Sequence, residues 1–319
     1  MSSCLKIKKN NMKKSLFLFA IIALLASCTN PTTPEAPFSE SQLEVTSGNL
    51  WHADIFSPEL NETIKIGVWT PKGYTDSKKY PVIYMHDGQN LFDANSTWNH
   101  QAWEIDSVLG SLIADKKVKP AIVVGIHSVD TTRIGDLMPE RVVEMTPPGE
   151  VRDFIDRMCR SQYRADEYLS FIVNTLKPLI DDKFSTLTDR KSTSIMGSSM
   201  GGLISIYGVT EHPDVFGAAV CMSTHWTGAI GDNPDFPTAM KYYLMDNFPR
   251  NADYLLYFDN GDCPYDSNYI PAYEMMNRLF DFLGYHEGDR LKTGIYQGHS
   301  HSEKSWSERV AIPLEFILK

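Results

Sequence analysis

The chain has 319 residues, 42% of them hydrophobic and 22% charged, proportions that exclude disordered, collagen-like and multi-span membrane classes. Forty acidic against thirty basic residues give a formal charge of -10, with five of the lysines in the first 14 positions. An acidic balance of this size repels phosphate backbones, so it argues against nucleic acid as a partner and against polyanionic substrates.

The first 27 residues read as an address. Lys13 and Lys14 precede an apolar run from Leu16 to Ala26, too short to span a bilayer comfortably, and small residues follow. The end, Leu25-Ala26-Ser27-Cys28, resembles a bacterial lipobox; by that resemblance Cys28 is lipidated and becomes the first mature residue, and Thr29 behind it leans towards the outer membrane. The lipid anchor is then the only expected membrane contact. Residues 28–48, rich in Thr, Asn, Pro, Ser and Glu, show no core-forming pattern and are expected to be a tether. Beyond the targeting region Cys159, Cys221 and Cys263 are widely spaced, with no CxxC, so neither a disulfide scaffold nor a cysteine metal cage is expected.

From residue 49 onward strands alternate with helices. Ile64–Trp69 alternates and predicts a half-buried strand, whereas Tyr80–Met85 and Ala121–Ile126 are continuous apolar runs of the kind covered on both faces. The stretch 127–165 lacks strong periodicity and is long for a loop, which predicts a cap-like insertion. A helix is predicted over Asp166–Ile180, then a strand at Ser192–Met196 and a helix continuing through Leu203–Val209. Further strands are predicted at Gly217–Met222, Tyr254–Phe258 and Thr293–Tyr296, and helices over Tyr269–Leu283 and Ser302–Leu318. This alternation predicts one α/β domain, 49–319, with a mostly parallel sheet and helices on both faces.

Gly197-Ser198-Ser199-Met200-Gly201 fits G-x-S-x-G between a predicted strand and a predicted helix. A nucleophile elbow needs that context, because the sharp turn projects the Ser199 hydroxyl above the sheet and the helix amino terminus lies under the developing oxyanion. A serine hydroxyl needs a base, and the base an orienting acid. His301 follows a strand and a turn and precedes the last helix; His299 and His286 are the other late histidines. The acid belongs after the Tyr254–Phe258 strand, where Asp253, Asp259, Asp262 and Asp266 all stand; Asp259 and Asp262 sit beside Asn and Gly, a pattern of turns, and Asp266 is also placed to cap a helix. Gly88 allows the loop after Tyr80–Met85 to turn the Gln89 N–H inward, beside the Met200 N–H, as an oxyanion pair. No metal pattern accompanies His299 and His301.

Residues 85–93 (MHDGQNLFD), 195–205 (IMGSSMGGLIS), 223–226 (STHW) and 301–306 (HSEKSW) together resemble the esterase group of α/β-hydrolases related to esterase D, enterochelin esterases and the feruloyl and acetylxylan esterases. The resemblance spans about 49–319. It implies an α/β-hydrolase fold, a serine esterase without cofactor, His301 as base and Asp266 as acid, the latter from a Gly261-to-Asp266 loop ahead of Tyr269 and Tyr273. Relatives often carry Thr where this chain has Asp262, which keeps Asp262 as a rival. The resemblance together with the envelope address implies ester decorations of carbohydrates, acetyl or feruloyl, as the small-molecule or oligosaccharide substrate. An acyltransferase, a siderophore-type esterase and a non-catalytic glycan-binding lipoprotein are the alternatives. Asp87, Arg133, His225 and Trp226 are expected to line the substrate cleft, with Trp98, Trp103 and Glu140 as further candidates.

Overall fold

Val82 and Tyr84 pack on one side of the sheet while Ile83 and Met85 pack on the other, as the apolar run at 80–85 requires. A strand whose every residue is buried has helices over both faces. The computed structural model describes residues 38–319 except 230 and 232; Cys28 and the leader lie outside the described residues. Nine strands form one sheet: β1 (Ser39–Glu40), β2 (Asn49–Ser57), β3 (Glu62–Thr70), β4 (Val82–His86), β5 (Ile122–Ile126), β6 (Thr193–Ser198), β7 (Ala218–Met222), β8 (Leu255–Gly261) and β9 (Leu291–Tyr296). Their order is β1-β2-β3-β5-β4-β6-β7-β8-β9. The first three and the β3–β5 pair are antiparallel, and every pairing from β5 to β9 is parallel.

The helices are α1 (Ile105–Ala114), α2 (Arg133–Leu137), α3 (Glu140–Met145), α4 (Glu150–Met158), α5 (Ala165–Ser170), α6 (Lys177–Lys183), α7 (Met200–Glu211), α8 (Asp235–Asn247), α9 (Ile270–Phe282), α10 (Glu303–Arg309) and α11 (Ala311–Ile317). A π-helical turn, Phe171–Leu176, joins α5 to α6 within the single helix the periodicity predicts. The helix predicted over Ser302–Leu318 breaks at Val310, because Pro313 lacks an N–H and its ring collides with the carbonyl four residues back, that of Arg309. The folded domain begins before residue 49: β1 pairs with Trp51 and His52, and the Trp69 indole donates to the Ser47 carbonyl at 2.6 Å. The stretch 127–165 holds three short helices, α2 to α4, and its Leu137, Met138, Val142, Val143 and Ile155 join the main core, so it packs on the sheet's helical layer and is not a detached cap. Cys159 and Cys221 are buried free thiols, and Cys263 is half-buried. Among the described residues no helix is long and apolar enough to cross a membrane.

Candidate active site

Ser199 stands between the end of β6 and the start of α7 with φ 56° and ψ -120°, a conformation that costs a non-glycine residue of order 1–3 kcal/mol. Its surroundings hold it there. Its N–H donates to the Met222 carbonyl at 2.9 Å, and its carbonyl accepts from His225 at 3.1 Å and from Leu203 at 3.1 Å. Glycine is required at 197, since a Cβ there would lie 2.8 Å from the backbone of Gly201. At Gly201 a Cβ would lie 3.3 Å from that of His86, which brings the end of β4 against the same turn.

His301 and Asp266 meet across the loops after β9 and β8. The imidazole Nδ1 hydrogen-bonds Asp266 Oδ1 at 2.6 Å, and the carboxylate is fully buried. Asp266 Oδ2 accepts from Ser223 Oγ at 2.6 Å and from the Gly261 N–H at 2.9 Å. Burial alone would raise this carboxyl, but the donors His301, Ser223 and Gly261 outweigh it and hold the pKa below the usual carboxylate value. The His301 ring is set edge-on between Tyr269, 5.7 Å away, and Trp306, 5.1 Å away.

The rival residues are engaged elsewhere. Asp259 is no turn residue: it lies within β8 fully buried, its carboxylate taken by Arg309 Nε at 2.9 Å and Nη2 at 3.1 Å and by the Tyr257 hydroxyl at 3.0 Å. Asp262 accepts from the Gly298 N–H at 2.7 Å, and Asp253 pairs with Lys191 at 2.8 Å and with Arg190. His299 Nδ1 lies 3.2 Å from the Ser305 carbonyl, and His286 is an exposed partner of Asp281. No group of three potential metal ligands occurs among the described residues.

Ser199 and His301 open onto one cleft of about 670 Å³, which Asp87, Gln89, Arg133 and Glu303 also line. Met200 is the first residue of α7, so its N–H is one of the amides with no acceptor inside the helix. Asp87 turns the opposite loop with φ 56°, and the Gln89 side chain anchors that loop by accepting the Ser128 N–H at 3.0 Å. Asp87 itself is clamped in a bidentate pair by Arg133, at 2.6 and 2.7 Å, and by the Ser128 hydroxyl. Those contacts outweigh burial and keep it ionised, so both residues shape the cleft wall as a neutralised pair.

Trp98 is exposed at the cleft rim, while Trp103 is buried and faces Trp306 at 5.5 Å. The expectation for Trp226 needs correcting: its ring is buried in the core edge-on to Phe258, 5.7 Å away, and does not line the cleft. His225 does not line it either; its Nδ1 is bonded to the Tyr269 hydroxyl at 2.7 Å. Burial, reinforced by the charges of His301 and Arg133, lowers its pKa to about 4 and leaves it neutral. Glu140 sits at the start of α3, outside the cleft; burial and the neighbouring Asp166 raise its pKa to about 8.

Sequence reasoning passed over the residues behind the imidazole. Ser223 Oγ donates to Asp266 and accepts from Arg309 Nη2 at 2.7 Å and from the Trp306 indole at 3.0 Å. Arg309 is only 1% exposed. Glu303, at the mouth of α10, accepts from Asn99 at 2.8 Å and Asn90 at 3.4 Å and ties the loop after β4 to the His301 loop. Ser223 and Glu303 both stand inside recognised motifs, which was the available signal; Arg309 carries none.

Comparison with known proteins adds the lineage. A family model described as "Putative esterase" matches residues 57–278. An endo-1,4-beta-xylanase/feruloyl esterase of Xylanibacter ruminicola is 24% identical over 210 residues, 63% of this chain and 25% of that protein. Among solved structures, a ferulic acid esterase superposes with TM-score 0.62 at 18% identity, covering 88% of this chain and 99% of that one. The enterobactin esterase from Shigella flexneri superposes with TM-score 0.61 at 17% identity, covering 90% and 60%. The chain spans about half the length of the curated relatives it matches, from 25% to 63%. At these identities the solved structures show a shared fold, the α/β-hydrolase fold.

Proposed function

Because the chain belongs to that esterase family, we propose that it hydrolyses carboxylic esters through Ser199, His301 and Asp266, with acyl groups on carbohydrates, acetyl or feruloyl, as substrates. One observation carries the reading: a serine on a strained strand-to-helix turn shares a cleft with an imidazole whose far nitrogen is bonded to a buried carboxylate. In this mechanism the Asp266 carboxylate accepts a hydrogen bond from the Nδ1–H of His301 and fixes the tautomer that leaves Nε2 free as base. His301 takes the Ser199 proton as Oγ attacks the ester carbonyl. The N–H groups of Met200 and Gln89 receive the oxyanion, each worth about 3 kcal/mol of barrier. His301 then protonates the leaving alcohol, and water, deprotonated by the same imidazole, releases the acid from the acyl-enzyme.

The sugar-ester assignment is supported by the kinship with feruloyl esterases and by the acidic surface balance, which disfavours polyanions. In the same reading a lipid on Cys28 holds the enzyme at the outer membrane of a bacterial envelope; incorporation of labelled palmitate, lost in Cys28→Ser, tests it. The central test is Ser199→Ala. It should lower turnover of 4-nitrophenyl acetate at least about 10⁴-fold and abolish fluorophosphonate labelling with the fold intact. Retained turnover overturns the nucleophile assignment. A panel of feruloylated and acetylated xylo-oligosaccharides against a catecholate siderophore ester then decides the substrate class.

A further inference from the structure

A second cavity, of about 810 Å³, adjoins the catalytic cleft: Gln89 and Ser96 line both. It falls in the range of roughly 300–1,000 Å³ that small-molecule sites occupy. Its floor is the antiparallel end of the sheet, with His52 and Asp54 from β2, Lys65 and Gly67 from β3 and His127 just beyond β5. Leu43 and Phe92 supply apolar wall.

Three features leave this floor open to a ligand. Asp54 and Lys65 are cross-strand neighbours of opposite charge, yet no ion pair or hydrogen bond joins their side chains among the described residues. The His127 ring has no hydrogen-bond partner there either, and burial lowers its pKa to about 4, so it offers a neutral donor and acceptor to the cavity. Gly67 is not explained by packing, since a Cβ there would make only ordinary contacts, at 3.6 Å with Phe92 and 3.7 Å with Leu50. A glycine in a strand interior leaves the backbone open to close approach by a ligand.

We propose that this cavity is a glycan subsite, in which the unesterified part of an oligosaccharide lies on the Asp54, Lys65 and His127 floor while its ester reaches Ser199. The charges narrow the class. Glu40, Asp54 and Asp93 outnumber Lys65, so the lining repels anions. Unpaired donors and acceptors beside apolar wall suit a neutral, hydroxyl-rich chain. The ligand class rests on the sugar-ester reading above, whereas the site itself does not.

The probe is xylotriose carrying no ester, titrated calorimetrically into the full chain. Wild type should bind it. Gly67→Leu, which fills the floor, and His127→Ala should each weaken binding about tenfold or more. Both should raise KM for feruloylated xylotriose by a similar factor with kcat unchanged, and both should leave hydrolysis of 4-nitrophenyl acetate untouched, which also shows that they fold. Absence of xylotriose binding, or binding indifferent to both substitutions, overturns the proposal. Should xylotriose bind and respond to the variants while feruloylated xylotriose is not hydrolysed, the subsite stands and the sugar-ester reading falls.

Discussion

Ser223→Ala isolates the support behind the imidazole. Ser223 is fully buried, and its hydroxyl makes three contacts within 3.0 Å, donating to Asp266 Oδ2 and accepting from Arg309 and Trp306. Removing it deletes two charge-assisted bonds, to Asp266 and from Arg309, each worth about 1.5–3 kcal/mol, and leaves the Trp306 indole without an acceptor, so a loss of at least about 3–4 kcal/mol of stability is expected. Arg309 keeps Asp259 and is not orphaned. The carboxylate keeps His301 and the Gly261 N–H but loses the contact that prevents it from pivoting. An imidazole that samples misaligned orientations lowers kcat rather than KM, and about tenfold, or 1.4 kcal/mol, is the expected scale. With one donor fewer, Asp266 bears more charge towards His301, so the acidic limb of the kcat/KM profile should move to higher pH. The backbone provides a control: φ at Ser223 is 42°, strained for alanine and free for glycine. Ser223→Gly should therefore be about 1 kcal/mol more stable than Ser223→Ala while losing as much activity. Urea titration and pH-resolved kinetics on 4-nitrophenyl acetate measure both. If both variants retain kcat within twofold and an unmoved acidic limb, the orientation of Asp266 does not depend on Ser223, and the reasoning fails.

Two further outcomes follow from the same geometry. Gly197→Ala places a methyl 2.8 Å from the Gly201 backbone, where no flexible side chain can yield; it should destabilise by about 3 kcal/mol and displace Ser199, so residual folded protein should label slowly with fluorophosphonate. His86 is fully buried, with burial pushing its pKa from 6.5 down to about 4. Between those values the unfolded chain binds a proton that the folded one refuses, so stability is lost as pH falls through that window, at about 1.4 kcal/mol per pH unit. On going from pH 7 to pH 4.5, His86→Gln should lose about 2–3 kcal/mol less than wild type in urea titrations; equal losses would show that His86 is not the buried neutral group.

The strands of the parallel half were legible because burial on both faces leaves an unbroken apolar run, as at β4 and β5. Strand β2 was not singled out: Leu50, Ala53, Ile55 and Ser57 go inside, but Trp51 and His52 between the first two blur the period of two. Helices α2 to α4 are five to nine residues long, too short for a period of 3.6 to declare itself, and Pro139 precedes α3 while Pro147 and Pro148 separate it from α4. Hence the cap-like reading of 127–165, where the chain in fact contributes to the main core. The elbow at Ser199 was readable because its demands are local: glycines at fixed offsets and a switch from strand to helix.

The acid was harder for a reason of range. Four aspartates lie within 14 positions, and turn chemistry sets Asp259 aside on the wrong ground. What removes it is a guanidinium fifty residues away, since a buried carboxylate already matched to Arg309 has no lone pairs facing a base. The same long-range pair selects Asp266. Arg309 bonds Asp259 and Ser223 together, and Ser223 donates its single O–H to Asp266, so one buried cation sets the hydrogen-bond direction along the chain of groups that ends at His301. In the 223–226 motif the conspicuous aromatic residues turned out to be packing and support, and the small hydroxyl ahead of them carries the connection. Local pattern locates a strained serine turn, but which carboxylate is left to meet His301 depends on where every other buried charge is already paired.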